Sequence, residues 1–304
     1  MPLSAFVYSG PGAGSRSVLS ALLSLRQALQ PHVQVETLGT EALLEGHWLQ
    51  SCVVLIIPGG ADLPYCRHLD GAGTRLIRRF VEDGGAFVGL CAGAYFASSR
   101  VEFEPDSPLE VVGDRELAFF PGTARGSVFP GFDYASERGA VAAALSVRGD
   151  FCGISSPADW WMCDDYANGG PAFELSSGAV LAAEAPVEGV TLLATYDAER
   201  DHAAAAVACR VGQGCAVLCG THPELPHGWL APAAWRADAV GGEAPAQDAA
   251  HAAHVARLRE QLEASGAGRW RLWRTLLTAA ALEGLLREDT GAPTCDALPA
   301  GLPS

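Results

Sequence analysis

The sequence predicts an α/β protein built on a mainly parallel sheet with helices on both faces. Three observations lead there. Near-continuous apolar runs alternate with helical periods through the first hundred residues. Strands without a polar side are covered on both faces, which is the habit of parallel sheets. The stretch GGAFVGLCAGAYFASS, residues 84–99, also passes directly from an apolar run into helix-forming small residues through a cysteine, Cys91, with Gly89 and Gly93 on either side.

The elements follow in order. LSAFVY (3–8) reads as the first strand, SRSVLSALLSLRQAL (15–29) as an amphipathic helix and VQVETL (33–38) as the next strand. CVVLIIP (52–58) is a buried strand, AGTRLIRRFVEDG (72–84) a helix, and a further strand ends at the Cys91 turn. Between about 100 and 220 the segments shorten to LEVVG, LAFF, PAFEL and VTLLATYD, which predict antiparallel additions and hairpins on the edge of the sheet. Residues 203–224 predict a hairpin turning at Gly212-Gln213-Gly214, its second strand ending at His222. Beyond Leu225 the chain turns Ala-, Pro- and Gly-rich, then helical near 247–265 and 269–288. This pattern divides the chain into an α/β domain at 1–230 and a linker with a loosely held helical tail at 231–304.

Composition narrows the chemistry. With 304 residues and 49% hydrophobic content, the chain can bury a full core. A net charge of -15 argues against nucleic acid and against anionic membrane surfaces, since both need a basic face. No apolar run is long enough to span a bilayer. The N-terminus enters a strand at once, so no targeting segment is expected and the place is cytoplasmic. Nine cysteines without a C-x-x-C pair suit neither a disulfide framework nor a zinc site. Neither a metal nor a cofactor is expected. Lysine is absent and all 20 basic residues are arginine, so no Walker, Schiff-base or biotin-accepting lysine exists in this sequence.

A strand that turns at once into a helix strains the corner residue, and glycines two before and two after remove the side chains that would collide there. That is the G-x-nucleophile-x-G elbow, with cysteine as nucleophile, and a helix N-terminus favours a thiolate. Cysteine is also commonly buried for packing alone, and from this stretch both readings stand. Sites in open parallel sheets gather at the carboxyl ends of strands. Four loops leave such ends: SGPGAGS (9–15), PGGADLPY (58–65), the Cys91 elbow and GTHPEL (220–225). The last carries His222 to accept the thiol proton and, two residues on, Glu224 to orient the imidazole. The glycine turn at Gly60 and the N–H of Ala92 are placed to form an oxyanion hole. SGPGAGS reads as a plain turn, since it lacks the lysine of a phosphate loop. Cys215 and Cys219 read as core, the loop Asp159-Trp160-Trp161 as a packing corner, and His47, His68 and His227 as surface residues.

Strand–PGG, strand–G-x-C-x-G and a final H-P-E, in this order, resemble the class I glutamine amidotransferases. Over residues 3–225 the chain resembles one branch, the N-terminal amidotransferase-like domain of eukaryotic biotin-protein ligases. VYSGPGAGSRSV, PGGADLPY, GLCAGAYFASSRVEF, FFPGTARG and GTHPEL carry that resemblance. It implies a flavodoxin-like core, nucleophile Cys91 with His222 and Glu224, and a substrate pocket lined by Gly59, Asp62, Tyr65 and Tyr95. Two departures matter. Working glutaminases carry glutamine four residues after the cysteine, where this chain has Tyr95. The sequence has no Gly-Arg-Gly-Arg biotinyl-AMP loop and no lysine, so it is not expected to ligate biotin by itself.

Two functions follow as expectations. One is a stand-alone cysteine hydrolase or amidase acting on a small-molecule amide or ester. The other is a non-catalytic regulatory or small-molecule-binding module that acts with a separate biotin-protein ligase. A third, an oxidant-sensing relative of the Parkinson's-associated superfamily, needs an acidic residue after the first strand, and Tyr8-Ser9-Gly10 stands there instead.

Overall fold

Apolar side chains in both phases of the early strands dictate a two-faced sheet. The computed structural model, which describes residues 2–149, 160–181, 186–197, 200–230 and 249–288, has that sheet. β1 (Ser4–Tyr8), α1 (Ser15–Leu29), β2 (Gln34–Leu38), α2 (Thr40–Glu45), β3 (Cys52–Ile57), α3 (Asp62–Leu69), α4 (Ala72–Glu82), β4 (Ala86–Leu90) and α5 (Ala92–Phe96) alternate along the chain. Successive strand residues sort into two cores, as a period of two requires. Ala5, Val7, Val54, Ile56 and Val88 join Leu25 and Leu29 of α1 on one face. Phe6, Tyr8, Leu55, Ile57 and Phe87 join Leu69 of α3 and Ile77 and Phe80 of α4 on the other.

The shorter segments follow as β5 (Ser98–Phe103), β6 (Val111–Asp114), β7 (Phe120–Gly126), β8 (Val141–Arg148), β9 (Trp160–Ala167), β10 (Ala172–Leu175), β11 (Val190–Tyr196), β12 (Ala204–Val211) and β13 (Gly214–Cys219). β2, β1, β3, β4 and β13 lie side by side and parallel, in the flavodoxin-like order 2-1-3-4-5. The other strands extend this frame. β12 pairs antiparallel with β13, and from β12 the sheet continues through β10, β7, β5 and β6. A branch from β12 leads through β11 and β8 to β9.

Three expectations need adjusting. The added strands are not all antiparallel, since β5 and β7 run side by side in the same direction. The hairpin turns as expected, with Val211 opposite Gly214, but β13 stops at Cys219 and His222 lies beyond the ladder. Trp160 and Trp161 are not a loop; they begin β9, opposite Arg148 and Val147 of β8, while Asp159 lies outside the described residues. β9 reads WWMCDDYA, and its two aspartates mask the strand pattern because the partner that buries one of them lies far along the chain.

The C-terminal helices are also more than a tail. α6 (Ala249–Ala264) and α7 (Gly266–Ala279) both pack on the sheet, and the second ends earlier than expected. Trp270, Leu272, Trp273, Leu276 and Leu277 of α7 belong to the same core as α1, Val88 and Val217. α7 thus supplies the helical layer over the β13 side of that face. Each large apolar side chain buried there contributes about 1.5–3 kcal/mol. α6 packs Val255, Leu258 and Leu262 against Tyr166, Leu225 and Trp229. Residues 231–248 and 289–304, which complete the expected linker and tail, lie outside the described residues. No described helix is long and apolar enough to cross a membrane.

Candidate active site

The strained corner is real. Cys91 follows the last residue of β4 and holds φ 48°, ψ -103°, a conformation that costs a non-glycine residue about 1–3 kcal/mol. Both flanking glycines are needed for space. A Cβ on Gly93 would sit 2.0 Å from the Ile57 carbonyl oxygen, and one on Gly89 would sit 2.6 Å from that of Gly93. The Cys91 N–H donates to Cys219 O at 2.9 Å, tying the elbow to the end of β13. α5 is only five residues long, so a neighbouring side chain has more to offer the sulfur than its dipole does.

That side chain is His222. Its Nδ1 lies 2.8 Å from Glu224 Oε1, and the ring stands beside Cys91. Burial pulls the imidazole toward its neutral form. The Glu224 carboxylate and Cys91 outweigh it and push the pKa up to about 10. The raised pKa favours an imidazolium whose Nδ1–H donates to Glu224. Glu224 is buried, and its Oε1 also accepts the Ser17 hydroxyl at 3.1 Å. Ser17 in turn accepts the Gly59 N–H at 2.9 Å, so one hydroxyl joins the glycine turn to the carboxylate. Burial pushes the thiols of Cys66 and Cys215 up to about 11 and that of Cys219 up to about 12. It raises those of Cys52, Cys163 and Cys209 as well.

The glycine turn lies against the same imidazole. A Cβ on Gly59 would come within 2.4 Å of His222 Cε1. Ala61 N–H donates to Gly12 O and Gly14 N–H to Gly59 O, which locks the turn to the loop after β1. Among the described residues no backbone acceptor takes the Gly60 N–H, and Ala92 opens α5, where an N–H has no partner within the helix.

The four residues expected to line the pocket have different surroundings. Gly59 borders the imidazole. Tyr95 is buried, donates its hydroxyl to Gly169 O at 3.0 Å and packs edge-on against Phe103. Asp62 is held by Arg115, whose Nη2 and Nε donate to its Oδ2 at 2.6 and 2.9 Å. Tyr65 is fully buried and donates its hydroxyl to Pro58 O at 2.9 Å, so it props the glycine turn from behind. His47 and His68 are exposed, as expected; the side chain of His227 lies outside the described residues.

Other contributors had no signal in the sequence. Asn168 brings its carbonyl within 3.8 Å of Cys91 Sγ, closing one side of the site. A file of edge-on rings, Tyr95–Phe103–Phe132–Tyr134, leads from the nucleophile to the surface. The phenol of half-exposed Tyr134, at the end of that file, is pushed up to about 12 by loss of surrounding water and by Asp62 and Cys91. Beside His222, Arg16 pairs with Glu137 and donates to the Tyr166 hydroxyl, which itself donates to Glu137. No cluster of three metal-ligating side chains occurs among the described residues.

Comparison with known proteins places the chain in a family. The family model described as "Biotin-protein ligase, N terminal" matches residues 3–297. The chain is 38% identical to the biotin–protein ligase of Schizosaccharomyces pombe over 225 residues, 73% of this chain. The aligned part spans 33% of that ligase's length. It is 36% identical over 222 residues to an uncharacterized protein of Chlamydia muridarum, covering 72% of this chain and 79% of that one. A glutamine amidotransferase from Thermotoga maritima superposes with a TM-score of 0.48 at 12% identity, covering 94% of this chain and 99% of the other.

Proposed function

The chain belongs to the biotin-protein ligase N-terminal family, and from its site we propose that it is a cysteine hydrolase acting on a small amide or ester. The observation that carries the proposal is one buried imidazole held between Glu224 Oε1 and Cys91 at the ends of two adjacent parallel strands. An imidazolium beside the sulfur favours the attacking thiolate. Cys91 Sγ bonds to the carbonyl carbon, and the oxyanion is received by the Gly60 and Ala92 N–H groups. As the tetrahedral adduct collapses, His222 gives its proton to the departing amine or alkoxide. The neutral imidazole then takes a proton from water, which attacks the thioester and frees the acid and Cys91. Glu224 Oε1 faces Nδ1 throughout and orients the ring.

Glutamine is an unsuitable substrate. Tyr95 fills the place of the glutaminase glutamine, and its hydroxyl is committed to Gly169. A site without partners for the head group loses several orders of magnitude in specificity. The test is hydrolysis of p-nitrophenyl acetate and release of ammonia from glutamine by the full chain, with Cys91→Ala and His222→Ala as controls. Ester turnover that is lost in both variants, without ammonia release, is the expected result. Ester cleavage unchanged in Cys91→Ala overturns the hydrolase reading.

A second reading has one observation in its favour. Cys91 is 7% exposed and faces the Asn168 carbonyl, as suits a closed pocket in a regulatory module that acts beside a separate biotin-protein ligase. Binding of a small molecule without turnover, and without dependence on Cys91, would favour it.

A further inference from the structure

His222 stands three residues beyond the end of β13, where no sheet pairing holds its backbone. Two long-range hydrogen bonds replace the ladder. Its N–H donates to Tyr166 O of β9 at 2.9 Å. Its carbonyl accepts Arg269 Nη2 of α7 at 2.8 Å, and also the Leu225 N–H at 3.1 Å, which closes the local turn. Arg269 is 3% exposed, and its Nε donates to Asp165 Oδ1 at 2.7 Å. Asp165 is fully buried and precedes Tyr166 in β9. One guanidinium thus joins the strand that receives the His222 N–H to the carbonyl of the same histidine. A forked, permanently charged group reaches both acceptors at fixed geometry; a lysine ammonium has no such fork.

We propose that Arg269 is a positioning residue of the Cys91–His222–Glu224 site: anchored on Asp165, it clamps the His222 carbonyl and so fixes the imidazole against Cys91. This rests on the hydrolase reading above. α7 is thereby part of the site as well as part of the core. The bond from Arg269 ends on backbone, so its influence on chemistry runs wholly through where the ring stands. Misplacing a reacting group by about 1 Å costs up to about a hundredfold.

The test follows Cys91 alkylation by limiting iodoacetamide across pH, mapped by mass spectrometry on the full chain. The variants are Arg269→Lys, His222→Ala and the double variant, with near-UV circular dichroism to check folding. Arg269→Lys is expected to slow Cys91 labelling at neutral pH roughly tenfold, to move the pH profile toward that of His222→Ala, and to add nothing in the His222→Ala background. A wild-type profile in Arg269→Lys, or an equal effect without His222, overturns the proposal while leaving the triad. If His222→Ala itself leaves Cys91 labelling unchanged, the triad reading fails and takes this one with it. Should Arg269→Lys not fold, the Arg269→Gln/Asp165→Asn pair removes both buried charges together and is read by the same outcomes.

Discussion

The five-stranded parallel frame and the strands that flank it handle charge in opposite ways. β1, β3, β4 and β13 contain no charged residue, and the edge strand β2 has one, the exposed Glu36. Of the flanking strands, all but β11 carry at least one charge. Several of these meet as exposed pairs, such as Arg125 with Glu102 and Glu174, while Asp165 is buried against Arg269. The parallel strands form a dry frame whose polar groups sit at the strand ends, where Cys91, His222 and the glycine turn converge. The flanking strands form the walls and braces of the site from residues scattered along the chain. Substitutions in the frame's loops should therefore change chemistry, and those of exposed charges on the outer strands should barely register.

Cys91→Ala gives the largest effect. Removing the nucleophile should lower ester hydrolysis by about four orders of magnitude or more, measured as p-nitrophenol release. The fold should remain, since alanine keeps the Cβ and the backbone of the elbow. Gly59→Ala comes next. The added methyl meets His222 Cε1 at 2.4 Å, so the imidazole must move. Cys91 alkylation should slow by up to about a hundredfold, and urea denaturation should show a loss of about 1–3 kcal/mol from overpacking.

The charged histidine makes stability depend on pH. The His222 pKa is raised in the folded protein to about 10 from an ordinary value of 6.5. The folded state therefore holds a proton that the unfolded state has released. This contribution is complete below about pH 6.5, falls as pH rises and is gone above about pH 10. Urea midpoints measured from pH 6 to 10 should decline, and His222→Asn should flatten the decline between pH 6.5 and 8.5. Equal slopes in the two proteins would mean that the imidazole is not protonated in the native state.

Smaller changes separate braces from surface. Tyr95→Phe deletes the hydrogen bond to Gly169 and should cost about 1 kcal/mol in urea denaturation, with ester hydrolysis kept. Arg125→Ala breaks an exposed cross-strand pair and should stay within about 0.5 kcal/mol of wild type. A loss there as large as that from Gly59→Ala would erase the distinction between the frame and the flanking strands.

The sequence by itself determined the frame and the reactive groups. β1, α1, β3 and β4 follow from uninterrupted apolar runs and a helical period, because burial on two faces leaves no room for polar positions. The Cys91 elbow and the His222–Glu224 pair were visible because each lies within a few residues of a strand end, where local glycine and carboxylate chemistry declares itself. Tertiary structure alone decided the rest. β9 was hidden because its buried aspartate is neutralised by Arg269, 104 positions away. Ser17 joins Gly59 to Glu224 across 207 positions, and α7, read as a loosely held tail, closes the core and holds the histidine. Spacing along a chain records contacts between neighbours in sequence. A buried charge is satisfied by whichever residue the fold brings within 3 Å, and no local pattern records which one that is.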